Sequence, residues 1–273
     1  MSKSTPPPDV LYGTVATVER LTPSLVRIVF GGEGLAAFEP TEFTDQYVNA
    51  LFVPDGATYA VPFDVDAARQ GPADHRPRGR RYTVRAWDPQ TRLLTVDFVA
   101  HGDTGYAGPW AQRARVGDRL QMVGPSGGYR PRPAGWHLMV GDESALPAIA
   151  ASVEALAEGQ RAVVVLVVDG PDDEVEVRSP AHLDVRWCHR RGSDAPDTLL
   201  LDTIASLEWP AGTVDVFVHG EAAEVRAVRR FLVAERGVDP AAASISPYWR
   251  RGHNDEAWRE VKRDWLEAQA ADV

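Results

Sequence analysis

The chain has 273 residues, 44% of them hydrophobic and 25% charged, with a net charge of −10. That is the make-up of a globular protein of two ordinary domains, and its acidic balance excludes a general nucleic-acid binder, which needs a basic face. Cys188 is the only cysteine, so no intramolecular disulfide can form, and no apolar run reaches the ~20 residues of a membrane span. A cytoplasmic monomer is expected.

Residues 1–10 read as a disordered, Pro-rich leader with no apolar stretch of signal-peptide length. Short β-rich segments follow, with strands expected over 12–21, 24–30, 46–53, 80–87, 93–99 and 118–123. Turn signals at Gly31-Gly32, Pro54-Asp55-Gly56, Asp88-Pro89 and Val116-Gly117-Asp118 separate them. Six short strands at this spacing suggest a small antiparallel barrel over 11–132. Residues 54–79 are long for a barrel loop, and such loops are often functional or mobile.

After Pro131-Arg132-Pro133 the rhythm changes. Strands are expected over 136–140, 162–168, 185–189 and 214–218, with helices over 144–157, 198–207, 222–236 and 255–271. Strands alternating with helices read as a parallel α/β sheet over 133–273.

The motifs lie at strand ends. Arg80-Arg81-Tyr82-Thr83-Val84-Arg85 sits on a strand, so Arg80 and Tyr82 share a face. An arginine beside an aromatic ring can hold a pyrophosphate while the ring stacks on a heterocycle, and the Thr83 hydroxyl can reach a ring nitrogen. The alternative is an edge strand with surface arginines. The stretch 101–110, His101 to Trp110, is Gly-rich and opens a helix, where backbone amides cradle phosphate; the alternative is a turn that needs its glycines. Gly141-Asp142-Glu143-Ser144 and Gly220-Glu221 each follow a strand, where a parallel sheet binds nucleotides. Asp142 or Ser144 is expected to cap the helix; a well-capped unit without ligand is the alternative. Gly32-Glu33-Gly34-Leu35-Ala36-Ala37 fits a loose dinucleotide fingerprint but lacks the surrounding βαβ unit, and reads as a barrel loop. The seven histidines show no metal-type spacing, and Cys188 reads as a buried structural thiol.

In order and spacing, RRYTVR at 80–85, VDFVAHGDTG at 96–105 with Trp110, VGDRLQMVGPSG at 116–127, GDESALPAIA at 141–150, VHGEAAEVRAVRRFL at 218–232 and YWRRG at 248–252 resemble the siderophore-interacting proteins, a branch of the ferredoxin-reductase-like flavoproteins. The resemblance implies an N-terminal antiparallel FAD-binding β-barrel followed by a Rossmann-like α/β domain for NADH or NADPH, and reduction of a ferric siderophore partner to release Fe(II). It implies that Arg80, Tyr82, Thr83 and Arg85 contact the flavin, with Tyr82 and Thr83 at the reacting ring. His101, Gly102, Gly105, Ala107, Gly108 and Trp110 would line the diphosphate. Gly141, Asp142, Glu143, Ser144, Gly220 and Glu221 would lie near the nicotinamide nucleotide, and Tyr248 and Trp249 near the flavin. Apart from the resemblance, Arg190 and Arg191 follow a strand and could meet a 2′-phosphate, with a solvated pair at a strand end as the alternative. Two features depart from the family pattern. A serine of the diphosphate loop is absent, and with lysine only at positions 3 and 262 a substrate pocket must be built from arginines, with Arg76, Arg78, Arg130, Arg132, Arg250 and Arg251 as candidates. No resident metal is expected. The competing readings are a general flavin reductase serving a ferredoxin or quinone, and a non-enzymatic flavoprotein that binds a ferric chelate.

Overall fold

A computed structural model describes residues 10–100, 105–270 and 272. The chain divides into two compact units, one through Gly128 and one from Tyr129.

In the first unit β1 (Tyr12–Thr22), β2 (Leu25–Gly31), β3 (Tyr47–Phe52), β4 (Arg78–Asp88), β5 (Leu93–Val99) and β6 (Arg119–Ser126) form a closed antiparallel barrel in the order β1-β2-β5-β4-β3-β6. Closure leaves no sheet edge unpaired. Alternate residues turn inward: Ile28, Phe30, Val84, Leu94, Val96, Phe98 and Leu120 make the core. Arg27 stands opposite Asp97 on paired strands and donates to both carboxylate oxygens at 2.7 Å. The expected loop at 32–37 is a short 3₁₀ turn over Glu33–Leu35 that buries Leu35.

The long segment after β3 is packed against the barrel. It contains α1 (Val65–Gln70), a helix the sequence pattern does not announce because six residues span less than two turns. Asp64 caps it, accepting from the Asp66 and Ala67 amides. Phe63 and Ala68 form a satellite core with Leu51, flanked by Tyr59 and Val61. Gln121, on β6, pins the segment by exchanging two hydrogen bonds with the Phe63 backbone, at 2.8 and 2.9 Å. After β5 comes α2 (Ala107–Arg113).

The second unit is a five-stranded parallel sheet of β7 (Trp136–Asp142), β8 (Arg161–Val168), β9 (His182–His189), β10 (Val214–Glu221) and β11 (Ser244–Trp249), in the order β11-β10-β7-β8-β9. Its helices are α3 (Leu146–Glu154), α4 (Leu199–Ala205), α5 (Ala222–Arg236) and α6 (Asp255–Ala270). β7 is buried along its whole length, as the central strand of a covered parallel sheet must be. Leu200, Ile204, Val225, Val228 and Leu232 of α4 and α5 pack on Leu138, Val140, Val165 and Val218.

Three expectations need correction. α3 starts at Leu146, because Asp142 holds residues 143–145 in a turn before the helix. Neither Asp142 nor Ser144 caps α3: its N-cap is Ala145, with no side-chain cap bond. β11 was not expected; Pro247 interrupts its pattern, and a proline is tolerated there because the strand lies at the sheet edge. No helix among the described residues is long and apolar enough to cross a membrane.

Candidate cofactor sites in the two units

In the barrel, β4 carries the arginine–aromatic strand. Tyr82 is half-buried and its ring packs on Phe98, with centroids 4.4 Å apart. Thr83 is buried, and Arg85 is half-buried. Arg78 and Arg80 bring their guanidinium groups to 5.8 and 5.6 Å from the centre of the Tyr106 ring. A ring face attracts such cations, so Tyr106 gathers two positive charges at the turn that opens α2. Sequence reasoning passed over Tyr106 because its arginine partners lie more than twenty residues away.

These residues fit a phosphate-bearing flavin. The Nε of Arg78 is buried with no hydrogen-bond partner among the described residues, a donor that a bound acceptor would satisfy. Gly105 is exposed at φ +84°, and a Cβ there would meet nothing within 4 Å, so the turn has room beside it. Ala107 and Gly108 follow in the first turn of α2, whose N-cap Tyr106 makes no side-chain cap bond. Trp110, half-buried, stacks on Phe30 and meets Phe52 and Phe98 at the edge of the barrel core. His101 and Gly102 lie outside the described residues. Arg76 donates to the Gly71 carbonyl and Arg78 NH2 to the Ala73 carbonyl, which ties both to the loop before β4.

In the α/β unit the strand connections reverse direction between β7 and β10. Beyond the carboxyl ends of such a pair lies the crevice where open parallel sheets bind nucleotides. Gly141, Asp142, Gly220 and Glu221 sit at those two ends. Asp142 is the hub. Its Oδ1 accepts from the Ser144 amide at 2.9 Å and the Ser144 hydroxyl at 2.5 Å. Its Oδ2 accepts from the Glu221 amide at 2.9 Å and the Trp249 indole at 2.7 Å. Gly220, at φ +142°, is required there: a Cβ would lie 2.8 Å from Asp142 Oδ2. One carboxylate thus ties the ends of β7, β10 and β11 and fixes the Trp249 ring. Trp249 is near the hub only because β11 pairs with β10, which the sequence pattern had not indicated.

Glu221 caps α5, accepting from the Ala223 and Glu224 amides at 2.6 and 3.1 Å, and its other oxygen accepts from the Arg251 amide at 3.0 Å. Arg251 reaches Glu224 at 3.1 Å and also pairs with Asp197. Burial, reinforced by the Asp142 charge, pushes Glu224 up to about 7, and one of its oxygens has no partner. Arg190 pairs with Glu143 at 2.5 Å and Asp169 at 3.3 Å. Despite its burial, Glu143 raises the Arg190 pKa, so it is held as a cation. Arg132 is clamped on Asp215 by its backbone and guanidinium nitrogens, beside the Tyr129 hydroxyl at 2.7 Å. Burial alone would raise Asp215; His137, Tyr129 and Arg132 together bring it down to about 2. Arg250 is half-buried and Arg130 exposed. Cys188 is buried, its sulfur 3.1 Å from the Thr203 hydroxyl.

Comparison with known proteins agrees with this division. Residues 14–129 match the siderophore-interacting FAD-binding domain and residues 134–252 the siderophore-interacting protein family. The chain is 34% identical to the ferric vibriobactin reductase ViuB of Vibrio cholerae over 88% of its own length and 89% of ViuB. It is 32% identical to the NADPH-dependent ferric-chelate reductase of Escherichia coli, over 86% and 91% of the two chains. The crystal structure of SipS, a siderophore-interacting protein from Aeromonas hydrophila, superposes with a TM-score of 0.80 at 29% identity, covering 94% of this chain and 98% of SipS. The chain belongs to the siderophore-interacting protein family, with an FAD-binding barrel followed by a parallel α/β unit.

Proposed function

We propose that the protein is a flavin-dependent oxidoreductase that reduces ferric siderophores with electrons from a reduced nicotinamide dinucleotide. The observation that carries this reading is the grouping of Arg78, Arg80 and Tyr106 at the opening of α2, with a buried guanidinium nitrogen unpartnered. The family to which the barrel belongs and the reductases it resembles support the same reading.

When bound, FAD supplies the link between a two-electron hydride donor and one-electron reduction of iron. The residues of the chain orient and shield. Arg78 and Arg80 would grip the pyrophosphate, and the amides of the first turn of α2 would complete the cradle. Tyr82, braced by Phe98, would offer a ring for stacking, with Thr83 beside it to donate a hydrogen bond to the heterocycle. In the α/β unit, Asp142 and Glu221 are filled by donors of their own chain, so they would shape the crevice for the dinucleotide rather than bind it. The ferric siderophore is the substrate: the added electron turns Fe(III) into Fe(II), a cation of lower charge that hard oxygen donors hold less tightly. Among the arginine candidates, Arg76, Arg78, Arg132 and Arg251 all give bonds to groups of their own chain, so a siderophore would have to compete for them.

The test is anaerobic. FAD-loaded protein is reduced with NADH or NADPH and mixed with a ferric siderophore, while flavin absorbance and a ferrous-specific chelator are followed. Flavin re-oxidation with matching appearance of Fe(II) is expected; re-oxidation no faster than with buffer overturns the proposal.

A further inference from the structure

We infer that the α/β unit selects the nicotinamide dinucleotide that lacks a 2′-phosphate, with Asp169 reading the adenosine ribose. This deepens the proposed function and rests on its placement of the dinucleotide at the carboxyl edge of the parallel sheet.

The sheet order puts β8 next to the central β7, on the side away from β10. A dinucleotide that crosses the β7–β10 crevice with its pyrophosphate at the Gly141 turn lays its adenosine ribose at the carboxyl end of β8. Asp169 follows the last residue of β8. Its side chain is 53% exposed, its Oδ1 accepts from Arg190 at 3.3 Å, and its Oδ2 has no hydrogen-bond partner among the described residues. A carboxylate in that position accepts from ribose hydroxyls and repels a phosphate on the 2′ oxygen.

The cation that the sequence offered for a 2′-phosphate is tied to two carboxylates through its Nη1, while its Nη2 is buried without a partner among the described residues. Arg190 is mostly buried and held by Glu143 at 2.5 Å as well as by Asp169. Turning it toward a phosphate would leave the Glu143 carboxylate, 6% exposed, without its partner, and breaking one side of a buried pair is costly. Around these strand ends the carboxylates of Glu143, Asp169, Asp172 and Glu174 outnumber the guanidinium groups of Arg190 and Arg191. Arg191 is the rival reader. It is exposed and lies beside Gly170, where a Cβ would come within 3.3 Å of its guanidinium. It stands in the same acidic surroundings, and its backbone amide is bonded to the Asp169 carbonyl at 2.8 Å.

The experiment is calorimetric titration of the FAD-loaded protein with ADP-ribose and with 2′-phospho-ADP-ribose, in the wild type, Asp169→Asn and Arg191→Ala. The wild type is expected to bind ADP-ribose about fivefold more tightly, the size of one partly screened charge–charge interaction. Asp169→Asn, at an exposed site that tolerates the change, should close most of that gap, and Arg191→Ala should leave the order of preference unchanged. Tighter binding of the 2′-phosphate form by the wild type overturns the inference, and its loss in Arg191→Ala would assign the selection to Arg191. An equal gap in Asp169→Asn also overturns it. If neither fragment binds, the dinucleotide site itself is misplaced and the inference falls with it, whereas NADPH-driven flavin reduction together with tight 2′-phosphate binding leaves the proposed function standing and sinks only the selectivity.

Discussion

The two units treat their charged groups in opposite ways. On the barrel, Arg78 and Arg80 gather round a half-buried ring, and one guanidinium nitrogen is buried without a partner. At the carboxyl edge of the α/β sheet, Asp142 is filled by four donors and Glu221 by three, all from the chain itself. The barrel converges two cations on one ring and ties each to a backbone carbonyl. The sheet edge uses its carboxylates to lock three strand ends, a helix start and an indole into one piece. Residues of similar chemistry at strand ends are therefore not equivalent: the count of internal donors decides which can still meet a ligand.

The sharpest way to break this comparison is Asp142→Asn. The new amide would set an N–H against the donors that now meet Oδ1 or Oδ2, leaving buried groups unpaired. A loss of about 4 kcal/mol is expected in denaturant unfolding, with a change in tryptophan emission as Trp249 is released. A loss below about 1 kcal/mol would show that the hub is dispensable.

Glu224 gives the next effect, and it has a sign. Its pKa is raised to about 7 in the folded protein from an ordinary 4.5, so the folded state binds the proton more tightly than the unfolded one. That contribution is complete below about pH 4.5 and is lost as pH rises through 7, by up to roughly 3 kcal/mol. Glu224→Gln cannot ionise. Its stability relative to wild type should therefore improve between pH 5 and pH 8 in paired melting curves, and a constant difference would refute the assignment.

On the barrel side, Arg80→Ala should weaken FAD binding by about 2 kcal/mol, the worth of a charged hydrogen bond, with little change in the melting temperature of the FAD-free protein. The reverse pattern would make Arg80 structural. Tyr106→Leu is the mildest change. It removes the ring between the arginines and should cost FAD affinity about 1 kcal/mol; an unchanged dissociation constant in a fluorescence titration would rule out the ring as an organiser.

Much of the frame was legible because it is written locally. Alternation over 24–30 and 93–99 marked barrel strands, and the unbroken apolar run in β8 marked a buried parallel strand. Gly141 and Gly220 pointed to the switch point because strand-to-helix turns carry their own signature. The occupancy of those groups was not legible. Trp249 reaches Asp142 across 107 positions, and Arg190 reaches Glu143 across 47. Neither pairing leaves a trace in a window of ordinary length. Trp110, expected beside the diphosphate, also packs against three buried aromatic rings once the barrel closes, which no local window shows. Local pattern thus located the strand ends, while long-range packing decided which of their residues hold the fold.

The most direct measurement is a thermal melt of the purified protein with and without saturating FAD, together with its absorbance spectrum. The account predicts a saturable rise in melting temperature of about 5 °C or more, as expected when ligand exceeds its dissociation constant about a hundredfold, and a flavin spectrum in the bound fraction. A melting temperature that FAD does not move, with no flavin accompanying the protein through purification, would contradict it.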